Sequence, residues 1–463
     1  MTDFRVYADG SSFSQGSGFE AGAYAQGGVP TWNNWSRQSV YQGPLVKPTK
    51  QWEVSLTGIN YSEGIAVAPD GTAYVTTWDG TAYIGYLTSV SPEGKVNWKK
   101  EYSNGWYPVT PTILSDGSLI VGSFYKYGDT YPGQDTKEFD GKLEKVSALD
   151  GTTTWSFGNV PGKILAQPVV DGAGNIYFVT HNNSSASWNT DDIFGIRPDG
   201  SLKWSARLSG SNYGALIIGK SGYLYTVTGS GTLQQPYKIV AVDKAAGTVK
   251  AEYLPENREN LGLRLQIAND GTILGNDAYN SNVLALDPST LKVKLSAYGS
   301  MFSPYVVDKD GTIWGEAGTA KDNKLINKAE AIGMNINGVY ANGYFGYFNA
   351  WGDQFLQGKY PDLTEAWKIT GTEMGNSSPS LAIVPRDGWI YTMERETLNS
   401  KIVGYYGSTV GNNELRAITL KFSPENNSSS GETVKLTAKA SGGTAVEYKF
   451  TISAADNIGN YSE

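Results

Sequence analysis

The sequence contains one histidine, and the residues around it have types that carry out acid–base chemistry. His181 lies in FVTHNNSSASWNTDD and is followed by amide and carboxylate side chains, Asn182, Asn183, Asp191 and Asp192. An imidazole titrates near neutral pH, so this histidine could act as a general base in a loop at the rim of a fold. The alternative, which we favour, is a polar loop residue without a catalytic role.

The carboxylates give no clear metal or catalytic pattern. Asp191 and Asp192 offer oxygen ligands for Ca²⁺, but the spaced Asp-x-Asp-x-Asp pattern is missing around them. Two carboxylates for glycoside hydrolysis can come from distant segments, and no pair stands out. The sequence also contains no Cys, no glycine-rich phosphate loop, and no strand–turn–helix context for a nucleophilic serine. We therefore predict no catalytic residue and no metal site.

Aromatic residues in candidate loops are the stronger signal. The segments TTWDGTAY, NGWYPVT, SASWNTDD and GYFGYFNAWGDQF place aromatic rings between or beside predicted strands. Exposed rings next to Asn, Asp and Gln suit sugars, whose C–H faces stack while their hydroxyls bond amides, and they also suit protein hot spots. The alternative is that the rings pack between sheets. The candidate ligand-binding residues are Trp78, Trp106, Tyr107, Trp188, Tyr347 and Trp351.

Two recurring phrases predict the strands that would position these loops. The first joins two strands by a DG-type turn, as in IAVAPDGTAYVTT, PTILSDGSLIVGS and LAIVPRDGWIYTM. Gly accepts a positive φ there, Asp bonds its own backbone, and the flanking residues fit pleated strands. The second phrase ends in a strand often centred on Trp, as in LTSVSPEGKVNWKKEY. Each repeat thus supplies four strands, the number in one blade of a β-propeller.

The spacing of the repeats predicts how the ring closes. From Trp98 to Trp155 is 57 residues, and an orphan outer strand lies 46 residues before Trp98, at Trp52. The last hairpin, at Asp387, is followed by a third strand but by no fourth strand with Trp. We predict that the strand at Trp52 pairs with the strand near Lys401–Tyr406, because this removes the free edges of the ring.

The number of blades depends on one stretch. Between Asp310 and Asp387 lie 77 residues with one clear fourth strand. They form either one blade with a large insertion or two compact blades, the second opening at NGVYANGYFGYFNAW. We predict an all-β, eight-bladed β-propeller over residues 46–410, with seven blades as the alternative.

The segment KPTKQWEVSLTGINYSEGIAVAPDGTAYV, followed by LTSVSPEGKVNW, resembles the quinoprotein-like (PQQ-repeat) β-propeller superfamily. The resemblance covers about residues 30–410 and implies the propeller fold. The superfamily includes cofactor-dependent dehydrogenases, assembly scaffolds and binding modules, so fold does not imply function. Its dehydrogenases hold Ca²⁺ and a quinone with Glu, Asn and Asp on inner strands, stack a Trp on the ring and often use a vicinal Cys pair. No corresponding set can be placed here, so we expect no cofactor.

The two ends of the chain differ from the repeats. Residues 1–45 are rich in Gly, Ser, Gln and Tyr, which predicts a flexible or draped arm. Residues 411–463 alternate apolar and polar residues and resemble half of a bacterial immunoglobulin-like domain, which has about 100 residues. The segment is either a small β module or is completed by another chain. We expect both ends to contact other protein subunits.

Composition narrows the function. The formal charge of −8 and pI near 5.0 argue against a nucleic-acid partner, and no apolar run is long enough to span a membrane. The start, MTDFRVYADGSS, reads as no secretory signal. We expect a non-catalytic, extracellular or surface-exposed platform, for example a subunit of a filament or of a virion-type assembly. The alternative is a glycan lyase, a glycan hydrolase or a glycan-binding module.

Overall fold

The computed structural model describes most of the chain from Gln42 onward, and every regular element in the described residues is a β-strand. The described residues are 42–60, 65–68, 70–125, 141–181, 192–208, 216–219, 221–229, 236–255, 265–268, 270–277, 282–298, 306–307, 313–315, 318–321, 324–327, 336–339, 345–349, 355–359, 365–371, 373, 378–383, 386–395, 399–409, 415–423, 435–442, 454–455 and 461–462. They include no helix able to cross a membrane.

The first strand belongs to the last sheet of the ring, and the next strands form sheets in chain order. The first strand is β1 (Thr49–Leu56). Sheet 1 contains β2 (Ile65–Val67), β3 (Ala73–Asp79), β4 (Ile84–Val90) and β5 (Val96–Tyr102). Sheet 2 contains β6 (Trp106–Pro108), β7 (Thr112–Ile113), β8 (Leu119–Tyr125), β9 (Gly141–Val146) and β10 (Thr153–Val160). Sheet 3 contains β11 (Val169–Val170), β12 (Ile176–Val179), β13 (Ile193–Ile196) and β14 (Leu202–Ala206).

The middle sheets repeat the same antiparallel order. Sheet 4 contains β15 (Ile217–Ile218), β16 (Tyr223–Thr228), β17 (Lys238–Asp243) and β18 (Val249–Tyr253). Sheet 5 contains β19 (Gln266–Ile267), β20 (Ile273–Asp277), β21 (Asn282–Leu286) and β22 (Val293–Tyr298). Sheet 6 contains β23 (Val306–Val307), β24 (Ile313–Gly315), β25 (Gly318–Lys321) and β26 (Lys324–Asn327).

The remaining strands complete the ring and form two short ribbons. Sheet 7 contains β27 (Ile336–Val339), β28 (Phe345–Asn349), β29 (Phe355–Lys359) and β30 (Glu365–Thr370). Sheet 8 contains β31 (Ser378–Ile383), β32 (Trp389–Arg395), β33 (Ser400–Tyr406) and β1. The ribbons are β34 (Leu415–Ser423) with β35 (Lys435–Gly442), and β36 (Ala454–Ala455) with β37 (Tyr461–Ser462). The all-β propeller fold predicted from the sequence is confirmed, and an immunoglobulin-like C-terminal segment stays a prediction.

The predicted closure of the ring is confirmed by the pairing of β1 with β33. Trp52 lies opposite Gly404 and Val54 opposite Ile402, in an antiparallel register that runs to Leu56 and Ser400. Sheet 8 is therefore built from both ends of the propeller, and its outermost strand comes from the N-terminal side. The pairing with β1 covers the edge of β33 that would otherwise be unpaired.

Asp-Gly turns connect the first two strands of the sheets, as the sequence predicts. The Oδ1 atom of Asp70 accepts a hydrogen bond from the backbone N–H of Thr72 at 2.8 Å, and Asp116 does the same for Ser118 at 2.9 Å. Gly71 has a φ of 90°, a conformation that a residue with a Cβ rarely adopts. These local bonds explain the turn aspartates without any catalytic role.

Tryptophans on the outermost strands hold neighbouring sheets together. The indole N–H of Trp52 donates to the carbonyl of Pro92, 3.0 Å away in the next sheet, and its ring covers Gly94. Trp98 donates to the carbonyl of Ala148 at 2.8 Å and covers Gly151 in the same way. A Cβ on Gly94 would lie 2.6 Å from the Trp52 ring, so the turn needs a glycine there. Two further indoles donate to backbone carbonyls. Trp204 donates to Lys244, in the turn between β17 and β18, at 2.9 Å, and Trp367 donates to Pro44, before β1, at 2.8 Å.

The antiparallel order gives the ring two different faces. The connections between the first and second strands and between the third and fourth strands, such as residues 68–72 and 91–95, lie at one end of each sheet. We call this the turn face. The connections between the second and third strands and those between sheets, such as residues 79–84 and 103–111, lie at the other end, which we call the loop face.

A matched pair of tryptophans tests how much the docking bond contributes. Trp155 covers Gly200 as Trp98 covers Gly151, but its buried indole N–H has no hydrogen-bond partner among the described residues. We expect Trp98→Phe to lower the free energy of unfolding by about 1 kcal/mol more than Trp155→Phe, because only the first loses a hydrogen bond. Urea denaturation followed by circular dichroism measures both, and equal losses would contradict the prediction.

Candidate functional site

An aromatic cluster lies at the loop face of sheets 1 and 2. Sheet 1 contributes Trp78 from the end of β3 and Tyr83 from the connection between β3 and β4. Sheet 2 contributes aromatic residues from β6 and β8. We call the six rings the aromatic cluster: Trp78, Tyr83, Trp106, Tyr107, Phe124 and Tyr125.

The base of the aromatic cluster is buried. Trp78 is 5% exposed and Tyr107 is 2% exposed, and the two rings meet edge to face with centroids 6.1 Å apart. Tyr107 meets Phe124 in the same way at 5.3 Å. These geometries suit the opposite partial charges of ring face and ring edge. Together with Val109, the three rings form a small apolar core under the loop face.

A short extra strand positions the second half of the aromatic cluster. Strand β6 pairs with β8, which puts Trp106 opposite Tyr125 and Tyr107 opposite Phe124. The same segment passes so close to β4 that a Cβ on Gly85 would lie 2.4 Å from the carbonyl oxygen of Trp106. Gly85 therefore permits β6 to cross sheet 1 and cover Trp78. The rings of Trp106 and Tyr125, both half-buried, lie 6.0 Å apart.

Tyr83 forms the exposed edge of the aromatic cluster. Its residue surface is 45% exposed, and its ring meets the edge of Trp78 with centroids 6.3 Å apart. The carbonyl of Tyr83 accepts a hydrogen bond from the backbone N–H of Gly105 at 3.0 Å. The turn before it is fixed by Asp79, whose Oδ1 atom accepts the N–H groups of Thr81 at 2.9 Å and Ala82 at 3.0 Å.

The two segments that carry Tyr83, Trp106 and Tyr107 are uncharged. Residues 80–84 and 103–108 contain no charged side chain. Burial raises the pKa of the nearby Tyr86 above its usual value, with Glu101 and Asp79 adding to the shift, so its hydroxyl stays protonated at neutral pH. The described residues contain no group of three or more His, Asp or Glu side chains placed to hold a metal ion. The arrangement suits binding by stacking and hydrogen bonding.

Three of the six predicted ligand-binding residues come together in the aromatic cluster, namely Trp78, Trp106 and Tyr107. The expected exposure is wrong for Trp78, which β6 covers, and for Tyr107 of β6, whose ring packs between Trp78 and Phe124. Trp188 and Trp351 lie outside the described residues, and Tyr347 lies in β28, where only the backbone is described. A ligand-binding role for these residues stays a prediction.

Sequence reasoning missed Tyr83, Phe124 and Tyr125. Phe124 and Tyr125 end a strand and face Trp106 and Tyr107 only because β6 pairs with that strand. Tyr83 follows an Asp-Gly turn, and its position after DGTA was the available signal.

His181 is not the polar loop residue that we favoured. It is 3% exposed, and its backbone forms a two-way hydrogen-bonded bridge with Lys163, with both distances 2.8 Å. Lys163 is 5% exposed, and Asp192, at 4%, accepts the backbone N–H of Leu208 at 2.6 Å. The bridge lies two residues beyond the end of β12 and pairs the chain with the segment that connects sheets 2 and 3. Residues 182–191, with Asn182, Asn183 and Asp191, lie outside the described residues.

Comparison with known proteins supports the fold. A europium-containing methanol dehydrogenase superposes with a TM-score of 0.55 and 9% sequence identity, over 82% of this chain and 98% of that chain. Virginiamycin B lyase from Staphylococcus aureus gives a TM-score of 0.41 and 13% identity, over 77% of this chain and 99% of that chain. No family model and no curated protein matches the sequence. The likeness to the dehydrogenase supports the β-propeller fold of this chain, and at this identity it concerns the fold alone.

Two substitutions separate the buried base of the aromatic cluster from its upper part. We expect Trp78→Ala to lower the free energy of unfolding by about 3–5 kcal/mol, because it empties a buried site. Trp106→Ala should lower the free energy of unfolding by clearly less, since the ring of Trp106 is only half-buried. Thermal melting of both variants checks this order, and a smaller loss for Trp78→Ala would show that β6 does not cover it.

Proposed function

We propose that this chain is a non-catalytic, extracellular or surface-exposed β-propeller that serves as a binding and structural platform. A subunit of a filament or of a virion-type assembly is one form of this role. One observation carries the proposal: the segments leading to both ends of the chain meet at a single place on the turn face. The aromatic cluster lies on the opposite face, so a ligand and an assembly contact can be held at the same time.

The meeting point lies between residues 42–48 and sheet 8. The backbone N–H of Leu45 donates to the carbonyl of Ser408 at 2.8 Å, just where the chain leaves β33. Gln42 and Asp387 are joined by a hydrogen bond of 2.8 Å from the Gln42 backbone N–H to a carboxylate oxygen. Residues 1–41 and 410–463 therefore start from neighbouring points, which suits a joint contact with another subunit.

Residues 42–48 also replace a turn that sheet 8 lacks. The indoles of Trp52, Trp98 and Trp204 dock on the turn before the outermost strand of the next sheet. Trp367 of sheet 7 docks instead on the carbonyl of Pro44. Lys47 adds an ion pair with Glu373, which lowers the pKa of that carboxyl to about 2 together with hydrogen bonds from Thr370. We infer that this segment belongs to the ring and that the arm proper ends near residue 41.

We propose eight blades for this platform. Eight sheets with at least four strands each occur in the described residues. Strand β23 contacts β27, and β27 contacts β31, which supports separate, neighbouring blades in sheets 6, 7 and 8. Seven blades remain the alternative if sheets 6 and 7 belong to one blade with an insertion.

We propose that the C-terminal segment is half of an immunoglobulin-like unit. In the β34–β35 ribbon, Ile418 pairs with Ala440, Leu420 with Ala438 and Phe422 with Leu436. Apolar residue types thus face each other at every second position, and a two-stranded ribbon is only marginally stable in water by itself. This pattern supports completion by another subunit.

Deleting residues 411–463 tests the platform role. We expect the shortened protein to keep the circular dichroism spectrum and melting temperature of the ring, because β1 and β33 close it without the segment. Its association into particles should be lost, as measured by light scattering coupled to size-exclusion chromatography. A second deletion, of residues 1–41 only, leaves the Pro44 contact intact and tests the arm separately. Association of the 411–463 deletion like that of the full chain would contradict the assembly role.

The absence of quinone-dependent catalysis is also a proposal. A dehydrogenase of this fold would oxidise an alcohol or an aldose sugar with added quinone and Ca²⁺, and would reduce a dye. We expect no turnover, because the ligand set and Cys pair of such enzymes cannot be placed on this sequence. Dye reduction together with micromolar quinone binding would overturn this part of the proposal.

A further inference from the structure

We propose that Tyr83, with Trp106 and Tyr125 beside it, forms a subsite that stacks a ring of an uncharged saccharide on the loop face. The inference rests on the proposed function, since it names what the binding platform holds. It concerns the upper part of the aromatic cluster, whereas Trp78 and Tyr107 form the buried support.

The backbone at this place is strained. Tyr83 has a φ of 56° and Asn104 has a φ of 60°, two of the three non-glycine residues with positive φ in the described residues. The left-handed region is unfavourable for residues with a Cβ, and a bulky residue there is uncommon. Such strain persists only where the surrounding structure enforces it, and it concentrates at functional sites.

Burial does not explain why a tyrosine occupies the strained position. The residue is 45% exposed, so its ring contributes only part of its area to the fold. A glycine or an asparagine would adopt the same backbone conformation at lower cost. The turn of Asp79 and the bond from Gly105 to the Tyr83 carbonyl hold the residue in place, with its ring on the edge of Trp78. Of glycine, asparagine and tyrosine, only tyrosine places a partly exposed aromatic ring at this position.

The neighbourhood of the ring selects the class of ligand. Charged residues make up 18% of the chain, yet segments 80–84 and 103–108 contain none. The carboxylate of Asp79, four residues before Tyr83, accepts two backbone N–H groups of its own turn. Exposed hydroxyl and amide groups of Thr81, Ser103 and Asn104 remain around the ring. Apolar faces with a few neutral polar groups match a sugar ring, and segments 80–84 and 103–108 supply no charge to pair with an ionic ligand or a charged peptide.

A second pair of rings is joined to Tyr83 through the backbone. The Gly105 N–H that bonds Tyr83 immediately precedes Trp106, whose half-buried ring meets that of Tyr125 at 6.0 Å. The two parts of the site are therefore linked through one short stretch of backbone. A chain of sugar units has room for contacts with more than one ring, which favours an oligosaccharide over a monosaccharide.

The test is calorimetric titration of the full chain with four uncharged hexasaccharides: cellohexaose, xylohexaose, maltohexaose and N-acetylchitohexaose. We expect at least one to bind, and Tyr83→Gly and Trp106→Ala each to weaken that binding tenfold or more. Tyr83→Gly should keep or raise the melting temperature, because glycine accepts the positive φ without strain. This separates loss of the ring from loss of the fold.

Tyr406→Ala is the matched control. Tyr406 is 43% exposed, close to the 45% of Tyr83, but it ends β33 at the turn face. We expect this variant to bind the saccharide like the unchanged protein. Equal weakening by Tyr406→Ala, unchanged binding by Tyr83→Gly, or binding of none of the four saccharides would overturn the inference. A charged peptide that binds at Tyr83 where no saccharide does would overturn it too.

Two further measurements distinguish a failure of this inference from a failure of the proposed function. Chromatography of the saccharide after incubation detects cleavage, which would disprove the non-catalytic role but leave the subsite standing. Light scattering of Tyr83→Gly should give the same particle mass as the unchanged protein, since the substitution is on the face opposite the meeting point of the ends. Binding by a protein that forms no assembly would support the subsite while contradicting the assembly role.

Discussion

The docking of an outer-strand ring on the turn of the next sheet is the constraint on which the rest of the structure depends. Four indoles each cover a turn glycine with positive φ, and three of them also donate their N–H to a carbonyl of the same turn: Trp52, Trp98 and Trp204, with Trp155 the fourth. Trp52 makes both contacts, with Gly94 and Pro92 of sheet 1. Because Trp52 lies on β1, this strand must belong to sheet 8, next to sheet 1. The join between the two ends of the propeller follows from the same contact that holds the other sheets together.

Docking fixes the turn face and leaves the loop face free to differ between sheets. The turns that receive a ring differ by one residue in length, 91–95 against 147–152, but each places a glycine with positive φ under the ring, as Gly94 and Gly151 show with φ values of 76°. At the loop face, by contrast, sheet 2 has acquired the extra strand β6, and the turn at Tyr83 is strained. An irregular segment is tolerated there because no ring of a neighbouring sheet has to land on it. This explains why the aromatic cluster, the strain and the exposed tyrosine occur together on the loop face.

The same distinction explains what the sequence predicts and what it does not. Hairpins marked by Asp-Gly and strands marked by Trp are local signals, so the sheets and the pairing of β1 with β33 follow from the sequence. Burial of Trp78 does not, because it depends on β6, a three-residue strand whose only trace is Gly85, the residue that lets it pass. His181 was misjudged for a similar reason, since its burial comes from a bridge to Lys163, 18 residues earlier in the chain. Contacts between segments of different repeats have no local signature.

The exceptions among the docking rings show what the contact requires. The outermost strand of sheet 4 contains no Trp, and at its junction with sheet 5 Tyr225 of β16 donates its hydroxyl to the carbonyl of Pro288 at 2.7 Å. Burial raises the pKa of Tyr225 to about 12, so the hydroxyl remains a donor at neutral pH. Across the junction of sheets 8 and 1, the hydroxyl of Tyr391 likewise donates to the carbonyl of Gly71 at 3.1 Å. A flat ring other than an indole can therefore make the contact, and Trp155, which covers Gly200 without a hydrogen-bond partner among the described residues, shows that the ring can pack there without the bond. A sequence search for Trp alone underestimates how regularly the sheets are joined, because tyrosines take over the contact from a different strand.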